Sequence, residues 1–307
     1  MRILITGAFG FIGRHLLASL TTKPDTEIYL LDRRRSAAVP LPTVKEDVLQ
    51  KPQAMVVDLR DFEQVRQAVR AVQPDIIFHL AAAGVGDPFL AVEDAVGHNL
   101  FGTINLLRAA FPEASTETGP RKIIVSRTPG EYTAMNTYAA SKAAAWQFCR
   151  MYARTKGWPI VGGAIFQAYG PGQPEQRLLP AAIIAAIKGE DLPMTAGKQQ
   201  KDWIFAADVV SGFSAICDAD LAPGTTVEIG SGQLTSVAEL VQWIYDCVGG
   251  PGRPLFGALS SRPGEVQLQQ ADVDRAYKLI NWRATVPLDV GLLKTIEFLR
   301  DCQNQQL

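Results

Sequence analysis

A tyrosine and a lysine lie four residues apart in the segment Tyr138-Ala139-Ala140-Ser141-Lys142. Residues with this spacing share one face of a helix. A neighbouring ammonium lowers the pKa of a phenol, so such a tyrosine can exchange a proton near neutral pH. Surface helices also carry this spacing by chance, and the pair therefore points to chemistry only together with a second motif.

That second motif is a glycine-rich turn at the start of the chain. The apolar run Ile3-Leu4-Ile5 predicts a buried strand, and a helical pattern begins near Phe11. Strand, tight turn and helix is the context of a dinucleotide site, in which glycines let the backbone approach the pyrophosphate and the helix N-terminus faces the phosphates. The residues expected to contact a cofactor in this turn are Gly7, Phe9, Gly10, Phe11, Ile12 and Gly13.

Apolar runs alternate with helical patterns up to about residue 165, which predicts an α/β fold of the Rossmann type, a doubly wound parallel sheet. We expect strands at Arg2–Thr6, Glu27–Asp32, Ala54–Asp58, Ile76–Leu80, Lys122–Ser126 and Ile160–Ile165. We expect helices to begin near Phe11, Asp61, Val92 and Thr137, and further helices at Leu178–Ile187, Ala207–Cys217, Ser236–Val248 and Leu288–Leu299. Two polar segments, 33–52 and 113–120, are predicted loops. The chain is thus divided into a dinucleotide-binding domain, 1–165, and a smaller α/β substrate-binding part, 166–307, interleaved with it.

Composition narrows the class of protein. The 307 residues are 47% hydrophobic and 20% charged with a net charge of −1, which argues against nucleic acid or an anionic membrane as a partner. We expect no transmembrane segment, no signal peptide and a cytoplasmic location. The four cysteines contain no C-x-x-C pair, and the three histidines lack the spacing of metal ligands. We therefore expect reduced thiols and no metal site.

The two motifs and several others together resemble the extended short-chain dehydrogenase/reductase family, in its NAD-dependent epimerase/dehydratase branch of nucleotide-sugar enzymes. The resemblance covers nearly the whole chain. Its further motifs are His79-Leu80-Ala81-Ala82, Asn99-Leu100-Phe101-Gly102-Thr103, Val125-Ser126-Arg127-Thr128, Tyr169-Gly170-Pro171-Gly172, Lys201-Asp202-Trp203-Ile204, Asp208-Val209, Ile229-Gly230-Ser231-Gly232 and Arg262-Pro263-Gly264-Glu265.

The resemblance implies that Tyr138 is the acid/base, that Lys142 assists it and holds the nicotinamide ribose, and that Thr128 bonds the same substrate oxygen. Further cofactor contacts are implied at Asp58, Leu59, Leu80, Ala81, Ala82, Asn99, Val125 and Ser126, beside Tyr138 and Lys142 themselves. Asp32 ends the second strand about 20 residues after the glycine turn, where an acid binds the adenosine ribose and favours NAD. Arg33 follows it and leaves NADP open, because a guanidinium can pair with a 2′-phosphate.

The substrate implied is a nucleotide-diphosphate sugar, with Thr128, Gln167, Arg177, Lys201 and Arg262 as its binding residues. Two of these depart from the family pattern, since Gln167 replaces an asparagine and Lys201 replaces an arginine. In the 4,6-dehydratases an Asp-Glu pair follows the catalytic threonine and eliminates water. Pro129 and Gly130 stand there in this chain and cannot transfer a proton, so dehydration is disfavoured.

The function expected first is a nucleotide-sugar 4-epimerase, which oxidises C4 transiently and returns the hydride to the other face. The alternative is a 4-ketoreductase of nucleotide-4-keto-6-deoxysugars, which Glu131-Tyr132 resembles and which an NADPH site at Arg33 would favour. A non-catalytic dinucleotide sensor is a third hypothesis, disfavoured because Tyr138 and Lys142 are both present. The resemblance also implies a homodimer through two helices, whose apolar residues include Leu100, Ile104, Leu107, Ala144, Ala145 and Phe148.

Overall fold

The computed structural model describes residues 1–33, 51–87, 89–112, 119–261, 264 and 266–304. Its strands are β1 (Arg2–Thr6), β2 (Glu27–Asp32), β3 (Gln53–Val56), β4 (Ile76–His79), β5 (Lys122–Arg127), β6 (Ile160–Ile165), β7 (Gln167–Tyr169), β8 (Leu192–Met194), β9 (Gln200–Phe205), β10 (Thr226–Ile229), β11 (Leu234–Ser236), β12 (Pro254–Phe256) and β13 (Leu268–Gln269). Most of the two predicted loops, 33–52 and 113–120, lies outside the described residues.

The α-helices are α1 (Phe11–Leu20), α2 (Phe62–Val72), α3 (Val92–Ala95), α4 (Gly102–Ala110), α5 (Thr137–Lys156), α6 (Leu178–Lys188), α7 (Ala206–Asp218), α8 (Val237–Val248), α9 (Val273–Ile280) and α10 (Leu288–Asn304). A π-helical turn, Val96–Phe101, joins α3 to α4, and a 3₁₀ turn, Pro129–Tyr132, follows β5. Where the sequence predicts one helix from Val92, the chain thus forms an α-π-α sequence. Among the described residues, no helix is long and apolar enough to cross a membrane.

Seven strands form the main sheet in the order β10-β6-β5-β4-β1-β2-β3. The pairs from β3 through β2, β1, β4 and β5 to β6 are parallel. Ile3 of β1 is paired with Ile28 on one side and Ile76 on the other. The central strands β1, β4, β5 and β6 are largely buried on both faces, which explains why they read as apolar runs in the sequence. The predicted Rossmann-type fold is confirmed.

The chain divides into two compact units. Unit 1 contains residues 1–164, 213–227 and 279–281, and unit 2 contains 165–212, 228–278 and the chain from 282 onward. In unit 1, α2, α4 and α5 bury apolar side chains such as Val65, Leu106 and Trp146 in one cluster with strand residues that include Leu4 and Ile77.

Unit 2 is built around β9, which pairs with β7 and β13 in parallel and with β11 in antiparallel fashion. A separate two-stranded ladder joins β8 and β12. Helices α6, α8 and α10 supply most of its core, which includes Ile183, Leu240 and Leu292.

The helix that carries Tyr138 and Lys142 has defined ends. The side chain of Asn136 accepts a hydrogen bond from the Ala139 backbone N–H at 2.8 Å and caps the N-terminus of α5. The helix stops at Gly157, whose φ of 67° lies in the left-handed region that glycine adopts without strain. Since both signals are local, the twenty-residue helix begins where the sequence predicted it.

Candidate active site

The glycine turn has the shape that a dinucleotide site needs. Gly7 has φ of +73°, and a Cβ placed there would lie 2.6 Å from the backbone nitrogen of Ala81. A Cβ on Gly13 would overlap the carbonyl oxygen of Gly7. A Cβ on Gly10 would meet only that same oxygen, at 3.2 Å, among the described atoms within 4 Å. Gly7 and Gly13 are therefore required by the fold, whereas Gly10 leaves open space at the N-terminus of α1, as an approaching diphosphate requires.

The predicted adenosine-side residues follow β2 and β3. Asp32 ends β2, and the Arg33 guanidinium lies 3.0 Å from Nε2 of His98. Asp58 accepts from Arg60 at 2.6 Å, and this guanidinium holds the pKa of the Asp58 carboxyl at about 2. The helix N-cap in this region is Asp61, which accepts from the backbone of two residues in the first turn of α2.

The loop after β4 contacts both motifs. The Ala81 N–H donates to Oγ1 of Thr6, at the end of β1, over 3.2 Å. Two residues later, the Ala83 N–H donates to Oδ1 of Asn99 at 2.7 Å, and Asn99 Nδ2 donates back to the Ala83 carbonyl at 2.9 Å. A Cβ on Gly84 would lie 3.2 Å from Cβ of Tyr138. This loop therefore connects the glycine turn to the helix of Tyr138 and Lys142 inside unit 1.

Asn99 also fixes the helix of the catalytic pair. Its Nδ2 donates to Oγ of Ser141 at 2.9 Å, and that hydroxyl donates to the carbonyl of Tyr138 at 2.8 Å. Lys142, next to Ser141, is 3% exposed. Burial lowers the Lys142 pKa, and the nearby Glu131 carboxylate acts in the opposite direction. Tyr138 and Lys142 thus occupy one face of α5, as predicted.

Thr128 begins the turn that packs against this helix. Its backbone N–H donates to Oε1 of Glu131 at 3.0 Å, and a Cβ on Gly130 would lie 3.4 Å from Cβ of Ala139. Of the other predicted contacts on β5, Val125 is buried and Ser126 is partly exposed. The roles assigned to Thr128, Val125 and Ser126 stay predictions, whereas the packing of Gly130, in the turn after Thr128, against Ala139 of α5 is observed.

A buried hydrogen-bond chain runs beneath the same region. Oγ1 of Thr103 donates to the Asn99 carbonyl at 2.6 Å, so it accepts from Nε2 of His79 at 2.9 Å. The His79 Nδ1 then accepts from Oγ1 of Thr6 at 2.7 Å. Burial, with a smaller effect of Lys142, lowers the His79 pKa to about 3, which keeps the imidazole neutral. This chain of hydrogen bonds joins β1, β4 and α4 and ends at the carbonyl of Asn99.

The substrate residues proposed from the sequence lie in unit 2. Lys201 on β9 is 8% exposed, and its Nζ donates to the Val266 carbonyl at 2.7 Å and to Oε1 of Gln269 at 3.0 Å. Gln167 pairs with Trp203, two positions along the same strand. Arg177 is the N-cap residue of α6. Arg262 lies outside the described residues, and the diphosphate role of all four stays a prediction.

Sequence reasoning missed several contacts because they join distant segments. Asp202 accepts hydrogen bonds from Ser231 N, Ser231 Oγ, Gly232 N and Ala271 N at 2.7 to 3.1 Å. In the sequence it stands in a family motif, which does not indicate these partners. Ser141 lies inside the quoted Tyr-Lys segment without an assigned role. The ion pair of Arg127 with Glu131 joins the end of β5 to the 3₁₀ turn, and its i, i+4 spacing is no signal outside a helix.

The chain belongs to the NAD dependent epimerase/dehydratase family, whose model matches residues 3–230. It is 29% identical to the UDP-glucose 4-epimerase of Mycolicibacterium smegmatis, over 98% of this chain and 99% of that one. It is 26% identical to a probable dTDP-glucose 4,6-dehydratase of Sinorhizobium fredii, over 97% and 92%. These relatives perform different reactions on nucleotide sugars, and dehydratases stand among them, so the similarity gives no support to the expectation against dehydration.

Solved structures share the fold. The UDP-glucuronic acid 4-epimerase of Bacillus cereus, in complex with UDP-glucuronic acid and NAD, superposes with a TM-score of 0.85 at 22% identity, covering 98% of this chain and 100% of that one. DesIV, the dTDP-glucose 4,6-dehydratase of Streptomyces venezuelae with NAD and TYD bound, gives 0.85 at 23% identity, covering 99% and 98%. The fold class predicted from the sequence is therefore shared by both reaction types.

Proposed function

We propose that this protein is an NAD-dependent nucleotide-sugar 4-epimerase. The observation that carries the proposal is the arrangement in unit 1, where one loop contacts both the glycine turn and the helix of Tyr138 and Lys142. Gly10 leaves room for a diphosphate at the N-terminus of α1, and Asp32 at the end of β2 suits the ribose hydroxyls of NAD. The residues present therefore fit the cofactor of the family.

NAD, when bound, would supply the hydride chemistry at the nicotinamide. The chain supplies proton transfer and positioning. Tyr138 removes a proton from the C4 hydroxyl of the sugar and returns one to the C4 oxygen. Lys142 presents a buried ammonium one helical turn away, which favours the phenolate form of a nearby tyrosine. Thr128 donates to the same substrate oxygen, and Asn99 holds the loop and the helix together.

Dehydration is less well supported by the residues around Thr128. Pro129 and Gly130 carry no acid or base. The first carboxylate after them, Glu131, has a side chain that is 1% exposed and binds Arg127 and the Thr128 N–H. A carboxylate held by these two donors is poorly placed to protonate a leaving hydroxyl, which favours epimerisation over loss of water.

A second candidate is the 4-ketoreductase, which one observation favours. Arg33 follows Asp32 directly and lies beside His98, so a basic group stands where a 2′-phosphate of NADP would be recognised. The ketoreductase would consume NADPH and require a 4-keto substrate, whereas the epimerase needs only catalytic NAD.

Product analysis tests these alternatives. The protein with NAD is incubated with UDP-glucose, dTDP-glucose and UDP-glucuronic acid in turn, and the products are analysed by NMR and mass spectrometry. Epimerisation gives an isomer of unchanged mass without net reduction of NAD, dehydration gives loss of one water, and ketoreduction shows NADPH consumption only with a 4-keto sugar. A thermal shift screen with UDP, dTDP, GDP and CDP, with NAD present, accompanies it. No shift from any of the four would remove the nucleotide-sugar assignment.

The family resemblance also suggests a homodimer, and two exposed aromatic side chains support it. Phe148 on α5 is 40% exposed, and Phe101 in the π turn is 54% exposed. Of the other residues expected at the interface, Ala145 and Leu107 are buried in the protomer, whereas Leu100, Ile104 and Ala144 are partly exposed. Phe148→Glu should shift the protein to monomer in light scattering at micromolar concentration. The matched control, Phe256→Glu on the similarly exposed Phe256, should not; a monomeric unmodified protein would end this proposal.

A further inference from the structure

Arg127, the last residue of β5, and Glu131, inside the 3₁₀ turn that follows, form a buried ion pair. Nε of Arg127 donates to Oε2 of Glu131 at 2.8 Å, and the two side chains are 8% and 1% exposed. The other carboxylate oxygen, Oε1, accepts from the Thr128 backbone N–H at 3.0 Å. The carboxylate of Glu131 therefore connects the guanidinium to the backbone of a residue assigned to substrate binding.

Arg127 is fixed from three further elements. Its guanidinium carbon lies 4.5 Å from the ring centre of Trp146 on α5, and its Nη1 donates to Oγ1 of Thr226 at 2.7 Å. On β6, a Cβ added to Gly162 would lie 2.7 Å from Cδ of Arg127 and 2.9 Å from the Trp146 ring. The absence of a side chain at Gly162 thus provides the space in which the arginine stacks on the tryptophan.

The same ion pair faces the buried lysine. Tyr138, Lys142 and Trp146 are each four residues apart on α5, so the Arg127–Trp146 contact lies one turn from Lys142. Glu131 and the Cys149 thiol raise the Lys142 pKa, whereas burial, the largest cause, and Arg127 lower it.

The remaining titratable neighbour on β4, His79, is kept neutral by its burial. Among the described residues, Glu131 is thus the negatively charged group with the largest effect on the Lys142 pKa, which it raises.

A fully buried ion pair is a poor way to stabilise a fold, since apolar residues of similar volume serve as well or better. An exposed pair of the same residue types, Arg66 with Glu63 on α2, has side chains that are 46% and 52% exposed and lies in solvent. The buried position of the Arg127–Glu131 pair beside Thr128 and Lys142 therefore calls for a role other than stability.

We propose that Glu131 is a positioning residue of the active site, which holds the Thr128 backbone and places a negative charge towards Lys142, while Arg127 holds the carboxylate in place. This inference rests on the proposed function, because Glu131 can position the active site only if Thr128 and Lys142 have the roles proposed for them. It adds a group that acts through those two residues without contacting substrate.

Titration of Lys142 in two single variants tests the charge. Lysine is labelled with ¹³C at Cε in the NAD-bound protein, and the Lys142 signal is assigned with Lys142→Arg. Glu131→Gln should lower the Lys142 pKa and Arg127→Met should raise it, because opposite charges are removed. The control Glu63→Gln should leave it unchanged. Shifts in the same direction, or no shifts, would reduce the pair to a structural contact and overturn the proposal.

Hydrogen exchange at the Thr128 amide tests the positioning. Loss of the acceptor in Glu131→Leu, made together with Arg127→Met so that no unpaired charge remains buried, should make this amide exchange roughly tenfold faster, as expected for one lost hydrogen bond. This apolar pair is also the variant most compatible with folding. Unchanged exchange would contradict the role assigned to Glu131.

Neither measurement depends on turnover, which separates the two proposals. If Lys142 and the Thr128 amide respond as expected but the unmodified protein converts no nucleotide sugar, the proposed function is wrong and the local role of Glu131 stands. If Tyr138→Phe is inactive but Lys142 and the amide do not respond, only the present inference fails. Where both hold, the effects of Thr128→Ala and Glu131→Gln on kcat should combine non-additively, because Glu131 acts in part through Thr128.

Discussion

Lys142 in unit 1 and Lys201 in unit 2 are both buried, 3% and 8% exposed, but Lys142 lies on a helix one turn from a tyrosine and Lys201 lies on a strand. Lys201 donates to two neutral oxygens, the carbonyl of Val266 and the side chain of Gln269. Gln269 is also its register partner on the neighbouring strand β13, so these bonds connect adjacent strands. Lys142 lies in the field of Glu131 and Arg127, which act on its pKa in opposite directions.

The contrast shows that burial alone does not identify a lysine that does chemistry. Neutral acceptors determine where an ammonium is held, whereas charged neighbours also determine how readily it gives up its proton. The Lys142 side chain on α5 has charged neighbours of this kind and lies one turn from a tyrosine. We therefore propose that proton chemistry belongs to the Lys142 region and that Lys201 has a binding or structural role.

The largest expected effect comes from the tyrosine beside Lys142. Tyr138→Phe should lower kcat by about 10²–10⁴-fold, the usual contribution of a general acid or base, and leave NAD affinity nearly unchanged. Steady-state kinetics on the nucleotide sugar identified by product analysis, with NAD titrated separately, measures both. Tyr277→Phe is the matched control, since Tyr277 is 48% exposed in unit 2 and should be neutral. Near-normal turnover of Tyr138→Phe would remove the basis of the comparison.

The second prediction concerns the other lysine directly. If Lys201 binds the substrate diphosphate, Lys201→Met should raise KM for the nucleotide sugar by about 10- to 100-fold, since a bond from a charged donor contributes about 1.5–3 kcal/mol, with little change in kcat. Arg262→Ala should act in the same way, and neither should alter NAD affinity.

Lys188→Met, on an exposed residue of α6, is the control for this pair. If kcat of Lys201→Met fell as far as kcat of Lys142→Met, the proposal that Lys201 serves binding and Lys142 serves proton transfer would be wrong. Lower stability of Lys201→Met with unchanged KM would show that Lys201 has only a structural role, connecting β9 to β13.

A third effect is expected at the cofactor. Asp32→Ala should weaken NAD binding by about tenfold and reduce the preference over NADP, because it removes an acceptor for the ribose hydroxyls and a charge that repels a 2′-phosphate. Titration with both cofactors measures the change, and Asp220→Ala on an exposed residue of the same unit is the control. A wild-type protein that prefers NADPH would favour the ketoreductase.

The smallest effect is a pH dependence of unit 1. The folded-state pKa of His79 is lowered to about 3, so between about pH 6.5 and 3 the unfolded chain binds a proton that the folded chain does not. The free energy of unfolding should therefore fall as the pH falls through this window, by up to about 1.4 kcal/mol per pH unit. Urea unfolding of His79→Gln should show a shallower fall than wild type; equal slopes would contradict a neutral buried imidazole.

The sequence predicted much of unit 1 because its signals are local. Buried parallel strands read as apolar runs, and five of the six predicted strands agree with the structure to within one residue at each end. The third, expected at Ala54–Asp58, is observed at Gln53–Val56. The strands of unit 2 were missed. Most have two or three residues, as in β13, and carry no periodicity, and the six-residue β9 begins with the polar residues Gln200, Lys201 and Asp202 and does not read as an apolar run.

The candidate site was predictable where it consists of motifs and not where it depends on long-range pairing. Tyr138 and Lys142 follow from spacing, and the glycine turn follows from its position after a strand. The partners of Asn99, by contrast, are Ala83 and Ser141, 16 and 42 residues away, and nothing in the sequence indicates these bonds. The Arg127–Glu131 pair spans a strand and a 3₁₀ turn, where helical spacing rules do not apply.

The π turn at Val96–Phe101 has a consequence for how this helix can tolerate changes in length. A π turn holds about one residue more than an α turn over the same rise, and each helical residue rotates the chain by about 100°. Deleting one residue there would restore a continuous α-helix. Either Asn99 would then rotate away from Ser141, or the face of α4 that carries Leu106 and Leu107 would rotate away from the core. A one-residue deletion two turns further on would damage only packing, so a deletion scan along 92–110 should find the greatest loss of activity, relative to loss of folded protein, at the π turn.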